Sequence, residues 1–194
     1  MTGVDQAAVT VDRVGPGGGV ASDSAFGVAL VSLWQGCAEA GDQVGFSAPV
    51  VRSEVAARAA GLLDEIKTGR LIAVAANRAR RLVGVAFLRP GRGVSQHTGQ
   101  VALILVDPGQ RRQGLGTRLL RDLLSLAGSA GVQLIEVNVP ADAGLQSFLA
   151  GFGFTEWGRR RDWIRAGDLD VDEIMLGVSG NVTGPGAVGT GASA

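Results

Sequence analysis

The 194-residue sequence contains a single cysteine, one histidine, no tyrosine and no excess of charge of either sign. With one cysteine the chain can form no internal disulfide bond, and no cysteine–histidine cluster has the spacing of a zinc site. Basic and acidic residues number 18 each, which argues against general nucleic-acid binding and polybasic membrane attachment. We therefore expect no metal, no nucleic-acid partner and no membrane partner.

Long hydrophobic runs are absent as well. No apolar stretch approaches the roughly 20 residues that a membrane-spanning helix needs, and residues 1–6 lack the basic and apolar segments of a signal peptide. We expect a cytoplasmic protein. Glycine, alanine, valine and arginine are abundant while lysine is scarce, which favours a bacterial source with a high GC content.

The length suits one α/β domain and leaves no room for two full ones. We predict a single domain over residues 1–178, with its core starting at about residue 9. Residues 179–194 carry no charged side chain and many glycines. Such a segment cannot bury enough apolar surface to offset the entropy lost on ordering, so we predict a disordered tail.

The most informative stretch is Val101–Thr117, whose pattern predicts a strand, a tight turn and the start of a helix. Six consecutive apolar residues, Val101–Val106, are typical of a strand buried on both faces. Asp-Pro-Gly at 107–109 ends that strand. After Gly114 and Gly116, leucines recur at helical spacing. A helix that begins here offers unpaired N–H groups and a positive dipole end to an anion.

Three phosphate-binding motifs can be compared with this turn. The P-loop motif G-x-x-x-x-G-K-[ST] is absent. The dinucleotide motif G-x-G-x-x-G needs a third glycine where this chain has Leu119, so a Rossmann-type nucleotide site is weakly supported. Residues 111–116, Arg-Arg-Gln-Gly-Leu-Gly, match R/Q-x-x-G-x-G/A, the loop that binds the coenzyme A pyrophosphate in GNAT acetyltransferases. In its strand–loop–helix context, this stretch resembles that superfamily.

The order of the predicted elements resembles the whole GNAT core. Strands are predicted at Ala7–Val14, Leu71–Ala76, Leu82–Leu88, Val101–Val106, Val132–Val139, Thr155–Ile164 and Val171–Val178. Helices are predicted around Phe26–Cys37, Val55–Ile66, Leu115–Gly131 and Leu145–Leu149. The resemblance implies an α/β (α+β) GNAT fold, in which a central twisted mixed sheet of about seven strands is flanked by about four helices.

The resemblance also implies acetyl-CoA as cosubstrate and a primary amine, on a small molecule or a peptide N terminus, as acceptor. Main-chain groups of two strand residues would pair with the pantetheine, and loop N–H groups would hold the pyrophosphate. The implied cofactor-binding residues are Leu105, Val106, Arg111, Arg112, Gln113, Gly114, Leu115, Gly116 and Thr117. Homodimers are common in this superfamily, so a homodimer is a further expectation.

Direct attack by a neutral amine needs a general base, and the sequence offers one carboxylate in a suggestive context. Glu136 lies in Leu-Ile-Glu-Val, similar to the L-E-V element of ribosomal-protein N-terminal acetyltransferases, whose glutamate is the base. A solvent-facing strand residue is the alternative interpretation. Tabtoxin-resistance-like acetyltransferases carry carboxylates where this chain has Gln100 and Asn138. Amides cannot accept a proton, so these two residues are candidates only for positioning water or substrate.

The usual acid of the superfamily is missing. A tyrosine normally stands four residues before the glycine of the G-F pair, where this chain has Leu149 before Gly153. A thiolate with a pKa of about 8.5 can leave without that acid, at a lower rate. A non-catalytic acyl-CoA-binding or regulatory module on the same fold is therefore the alternative function. Trp34, Phe46 and Trp163 are interpreted as core residues, with walls of the acceptor pocket as the alternative. Cys37 is interpreted as a buried small hydrophobe.

Overall fold

The computed structural model describes residues 8–46, 49–166 and 168–180. These residues form seven strands and four α-helices in the predicted order. The strands are β1 (Val9–Arg13), β2 (Ile72–Arg78), β3 (Arg81–Pro90), β4 (Thr98–Val106), β5 (Leu134–Pro140), β6 (Thr155–Ala166) and β7 (Leu169–Ser179). The helices are α1 (Ser24–Glu39), α2 (Arg52–Lys67), α3 (Leu115–Ser129) and α4 (Gln146–Ala150).

The strands form one mixed sheet in the order β1-β2-β3-β4-β5-β7-β6. All neighbouring pairs are antiparallel except β4 and β5, which run parallel and are connected through α3. A parallel pair needs such a crossover, because a short hairpin cannot return the chain to the same end of the sheet. The central position of β4 and β5 places the predicted phosphate loop in the middle of the sheet.

Helices cover both faces of this sheet. On one face the predicted leucine stripe of α3, with Leu119, Leu120 and Leu123 fully buried, packs against alternate residues of β2, β3, β5 and β7. On the other face α1 and α2 pack over a second cluster that includes Phe87 and Leu105. The sheet therefore separates two apolar layers, and alternation along a strand decides which layer a side chain enters. A register shift between β3 and β4 at Ala102 interrupts this alternation, so Val101 lies in the α3 layer and Leu105 in the α1–α2 layer.

The first helix confirms several interpretations of single residues. The Asp23 carboxylate caps α1 by accepting a hydrogen bond from the Phe26 N–H at 2.9 Å. Trp34 is buried, donates its indole N–H to the Val44 carbonyl at 2.9 Å and contacts Phe46 edge to face. Cys37 is fully buried, as expected.

Two expectations about burial are wrong. Trp163 is 64% exposed on β6 rather than part of the core, because β6 is an edge strand of the sheet. The run Val101–Val106 is not buried on both faces, since only Val101 and Leu105 are buried and the other four residues are half-buried. The reason is that β5 pairs with β4 only as far as Val101, so the second half of β4 borders an opening.

The tail prediction falls mostly outside the described residues. Ser179 still belongs to β7, and residues 181–194 are not described, so their disorder stays a prediction. In the described ranges, no helix combines the length and apolarity that a bilayer crossing demands. The same residues contain no group of three or more histidine, cysteine or acidic side chains that could hold a metal ion.

Packing of α3 can be tested by truncating one buried leucine. We expect Leu120→Ala to lower the free energy of unfolding by about 2–5 kcal/mol, because it removes a fully buried side chain and leaves a cavity. Arg121→Ala, on the exposed side of the same helix, should change it by less than about 0.5 kcal/mol. Urea denaturation of both variants measures the difference, and equal effects would contradict the assignment of the two helix faces.

Candidate functional site

The strands β4 and β5 separate in the middle of the sheet. Their pairing runs from Thr98 opposite Leu134 to Val101 opposite Val137 and then stops. Within the described residues, 102–106 of β4 and 138–140 of β5 therefore have no ladder with each other. The resulting gap lies at the carboxyl end of β4, the end from which the predicted phosphate loop departs.

The register decides which main-chain groups of β4 face the gap. The Asp107 N–H donates to the Val83 carbonyl at 2.9 Å, and the Leu105 carbonyl oxygen lies 3.1 Å from where a Cβ on Gly84 would stand. Both residues thus belong to the ladder with β3. Since N–H and C=O groups alternate in direction along a strand, Ile104 and Val106 face the gap.

The assignment of Leu105 to pantetheine binding is therefore corrected. Adjacent residues of a strand cannot both direct their main-chain groups to the same side, so Leu105 and Val106 cannot act together. Ile104, and not Leu105, directs its main-chain groups toward the gap beside Val106. The sequence signal for Ile104 is strand alternation. If Val106 faces the gap, the next residue of β4 that does so is Ile104, two positions before it.

The loop after β4 has the geometry of an anion site. Asp107 accepts a hydrogen bond from the Gly109 N–H at 2.9 Å and so stabilises the turn that follows β4. Arg112 and Gly114 both adopt positive φ angles, of 61° and 77°. Alternation between right-handed and left-handed residues makes successive N–H groups converge, and α3 begins directly afterwards at Leu115.

Gly116 leaves space beside this loop that the protein does not fill. A Cβ at that position would lie 3.8 Å from Val106 and 3.8 Å from Phe148, which are ordinary contacts. Packing of the protein itself therefore does not require glycine here. Gly114 differs, because its positive φ strains any residue that carries a Cβ.

The two predicted loop arginines have different surroundings. Arg111 forms an ion pair with Asp42, which follows α1, and donates from Nε to the Val106 carbonyl at 3.2 Å. Its charge is thus already balanced and its side chain ties the loop to the end of α1. Arg112 is exposed, so it is the arginine better placed to meet a phosphate. Asp42 was not identified from the sequence, because it lies 69 residues from its partner.

The remaining predicted loop residues take different positions. Gln113 accepts a hydrogen bond from Arg78 of β2 at 3.3 Å, which anchors the loop to the sheet. The Leu115 side chain is buried in the α3 core, so only its main chain can meet a ligand. Thr117 is half-buried in the first turn of α3. The N–H groups of this segment are therefore the groups to which the predicted binding role applies.

The three candidate polar residues lie on the same face of the sheet. Ile135, Val137 and Val139 are buried under α3, so alternation directs Glu136 and Asn138 to the opposite face. Gln100 pairs with Glu136 across the β4–β5 ladder, which places their side chains next to each other. The structure thus brings these predicted residues together at the closed end of the gap.

The polar atoms on this face include unpaired ones. No ion pair among the described residues involves Glu136, although its side chain is half-buried. The Asn138 Oδ1 atom is buried and has no hydrogen-bond partner within the described part of the chain. A buried acceptor left unpaired costs about 1–3 kcal/mol, which a ligand N–H can recover.

The position of the missing tyrosine is apolar in three dimensions as well. Leu149 is 2% exposed and packs in the cluster under α3. Its neighbour Phe148 contacts Phe152 edge to face at 5.4 Å between ring centroids. The helix α4 thus supplies apolar contacts to this end of the gap and no proton donor from either residue.

Comparison with known proteins identifies the class. Residues 41–168 match the acetyltransferase (GNAT) domain family, so the chain belongs to the GNAT acetyltransferase family, as predicted. Its members transfer an acetyl group from acetyl-CoA to an amine. The chain is 39% identical over 72 residues to N-alpha-acetyltransferase RimI of Mycobacterium tuberculosis. That alignment covers 37% of this chain and 44% of the relative, which is less than half of its length.

Solved structures confirm the predicted fold. The ribosomal-protein-S18-alanine N-acetyltransferase from Escherichia coli matches with a TM-score of 0.67 and 18% identity, over 96% of this chain and 99% of that one. An N-acetyltransferase from Staphylococcus aureus Mu50 matches with a TM-score of 0.72 and 15% identity, over 89% of this chain and 98% of that one. The structure of yncA from Salmonella typhimurium with its cofactor acetyl-CoA matches with a TM-score of 0.70 and 16% identity, over 89% of this chain and 94% of that one.

The loop assignment predicts a specific effect of one added methyl group. We expect Gly116→Ala to weaken coenzyme A binding at least roughly tenfold, about 1.4 kcal/mol, because the Cβ occupies space beside the converging N–H groups. Folding should be retained, since the new contacts are ordinary ones. Titration calorimetry with coenzyme A measures the affinity.

The matched control is Gly128→Ala, the same change near the other end of α3, where a Cβ meets nothing within 4 Å. It should leave the affinity unchanged. Equal affinities for the two variants would contradict the placement of the pyrophosphate at this loop.

Cys37 should be inert in the folded protein. Burial, and then the negative charge of Asp42, raise the pKa of its thiol to about 11. At pH 8 roughly one thiol in a thousand is then ionised, and only the thiolate reacts. We expect no reaction with a disulfide reagent such as Ellman's reagent until the protein is unfolded in guanidinium. One rapid equivalent from the native protein would contradict this environment.

Proposed function

We propose that this protein is an acetyl-CoA-dependent N-acetyltransferase that acts on a primary amine of a small molecule or a peptide N terminus. The observation that supports the proposal is the position of the gap. At its open end lies a loop of converging N–H groups, and beside its closed end lies the half-buried carboxylate of Glu136. A donor held in the gap and an amine held at Glu136 would meet between them.

Binding of the donor would fall to main-chain groups. The N–H groups of residues 112–117 and the N terminus of α3 suit the pyrophosphate, with Arg112 as the nearby exposed charge. The Ile104 main-chain groups and the Val106 N–H would pair with the pantetheine amides as an added strand would, since the Val106 carbonyl already accepts from Arg111 and Cys37. The bound acetyl-CoA supplies the thioester that is attacked.

Glu136 is the proposed general base. An amine in neutral water is mostly protonated, and its lone pair becomes available only when a base takes the proton. Glu136 is a carboxylate without an ion-pair partner among the described residues and is therefore free for this role. Gln100 beside it and the unpaired Asn138 Oδ1 would orient the amine or a water that relays the proton.

A peptide acceptor is supported by the likeness to N-alpha-acetyltransferase RimI, although the 72 aligned residues span less than half of that relative. A small-molecule amine stays the other acceptor class. A cytoplasmic location, a bacterial source and a homodimer likewise stay predictions.

The second candidate function is a non-catalytic acyl-CoA-binding or regulatory module. The observation that favours it is the buried Leu149 where a tyrosine acid is expected, together with amides at Gln100 and Asn138. Both functions need the same coenzyme A site. Only turnover separates them.

We expect the purified protein to release free thiol from acetyl-CoA in the presence of an amine or peptide panel. Glu136→Gln should lower kcat by roughly 10²–10⁴-fold, the range of a lost general base, without changing coenzyme A affinity. An assay of the released thiol measures kcat, and titration calorimetry measures the affinity for coenzyme A.

The control is Glu54→Gln, the same change at an exposed residue in the first turn of α2, which should keep wild-type kcat. Wild-type turnover by Glu136→Gln would remove this residue from the mechanism. A wild type that binds coenzyme A but acetylates nothing in the panel would favour the non-catalytic module.

A further inference from the structure

Trp157 is a large side chain that the core does not use. It lies on the edge strand β6 and is 52% exposed. Its neighbours Glu156 and Gly158 pair with the consecutive β7 residues Leu176 and Met175, so Trp157 is the extra residue of a β-bulge. A bulge re-aims side chains and lets two successive residues point to one face of a sheet.

The partner of this indole is Gly177 on β7. A Cβ on Gly177 would lie 2.1–2.3 Å from three ring carbons of Trp157, Cε2, Cζ2 and Cδ2. Real Cβ atoms do not approach other carbons so closely. The ring therefore lies over the Gly177 main chain, and glycine at this position is what lets it lie there.

Gly177 is also the register partner of Glu136 on β5. Directly opposite residues of an antiparallel pair direct their side chains to the same face, with Cβ atoms about 4.5–5.5 Å apart. The indole occupies the place of the Gly177 side chain. The indole therefore lies beside Glu136. Leu176 and Val178, the neighbours of Gly177, are buried on the α3 face, so Glu136 and the indole lie on the opposite face.

A carboxylate next to an aromatic face is an arrangement that recognises cations. The described basic residues nearest along these strands are already bound elsewhere. Arg89, opposite Gln100, pairs with Glu65, while Arg159 and Arg160 pair with acidic residues of the β6–β7 hairpin. These ion pairs leave the carboxylate of Glu136 and the indole of Trp157 to a cation from outside.

We propose that Trp157 determines acceptor specificity by binding the acceptor as an ammonium ion against its indole, next to Glu136. This inference rests on the proposed function and narrows its substrate class to alkylamines and peptide N termini that are protonated in solution. Glu136 then takes one proton from the bound ammonium, which leaves a neutral amine to attack. Aromatic amines, uncharged at neutral pH, gain nothing from the site.

The test compares two exposed tryptophans of the same strand. We expect Trp157→Leu to raise the KM of an alkylamine acceptor roughly fivefold, as for a lost cation–π contact, with kcat and the KM of acetyl-CoA unchanged. The KM of an aromatic amine such as p-anisidine should not change. Trp157→Phe should recover part of the loss, because it restores an aromatic face.

Trp163→Leu is the matched control. Trp163 is 64% exposed on β6 and stacks with Arg160 at 5.2 Å, so its loss should leave both acceptors unaffected. Gly177→Ala should reproduce the Trp157→Leu defect, since its Cβ displaces the indole. Added to Trp157→Leu, the same change should cause no further increase in KM.

The outcomes separate the two proposals. An active Trp157→Leu or Trp157→Phe variant with an unchanged alkylamine KM, or with equal changes for alkylamine and aromatic amine, overturns the role of Trp157 and leaves the acetyltransferase activity standing. A wild type that turns over neither class overturns the proposed function and this inference with it. A KM increase in Trp157→Leu for the alkylamine alone, and not for the aromatic amine, supports the inference.

Discussion

The divergence of β4 from β5 is the constraint on which the site depends. A parallel ladder that continued beyond Val101 would bury the main-chain groups of both strands in hydrogen bonds with each other. Because the ladder stops, Ile104 and Val106 keep main-chain groups directed into the gap, and the half-buried surface of β4 borders it. The same divergence gives the loop before α3 an open space to face, so the proposed donor site depends on this strand geometry.

The two faces of the sheet position different parts of the site. Buried leucines of α3 hold the helix N terminus against β2, β3 and β4, with Leu115 and Leu119 next to Gly84, which fixes the direction of the loop N–H groups. Strand alternation places Glu136 on the opposite face, where α1 and α2 leave the end of the sheet partly open. Glu136 and the loop therefore sit on rigid elements, which suits the precise positioning that direct acyl transfer needs.

The chain departs from its family's usual pattern at the proton donor. Leu149 fills the position with a buried side chain, so the leaving thiolate gains no acid from this residue. A thiolate with a pKa of about 8.5 can leave without an acid, so this departure would slow acyl transfer without preventing it. The sequence did not predict the Arg111–Asp42 ion pair, which ties the side chain of one loop arginine to the residues that follow α1.

Local patterns were enough to predict the order of elements, the α3 leucine stripe and the turn that precedes α3. Each depends on residues within about one helical turn or one strand, where spacing and backbone preference decide the outcome. The sequence alone also determined that no tyrosine can act.

Tertiary structure decided what depends on register between distant segments. The end of the β4–β5 ladder, the choice of Ile104 over Leu105 and the capture of Arg111 by Asp42 are contacts across strands or helices. The placement of Trp157 beside Glu136 needed three strands and a bulge. Spacing in the chain carries no information about such contacts, because a shift of one residue in register reverses the face of every side chain.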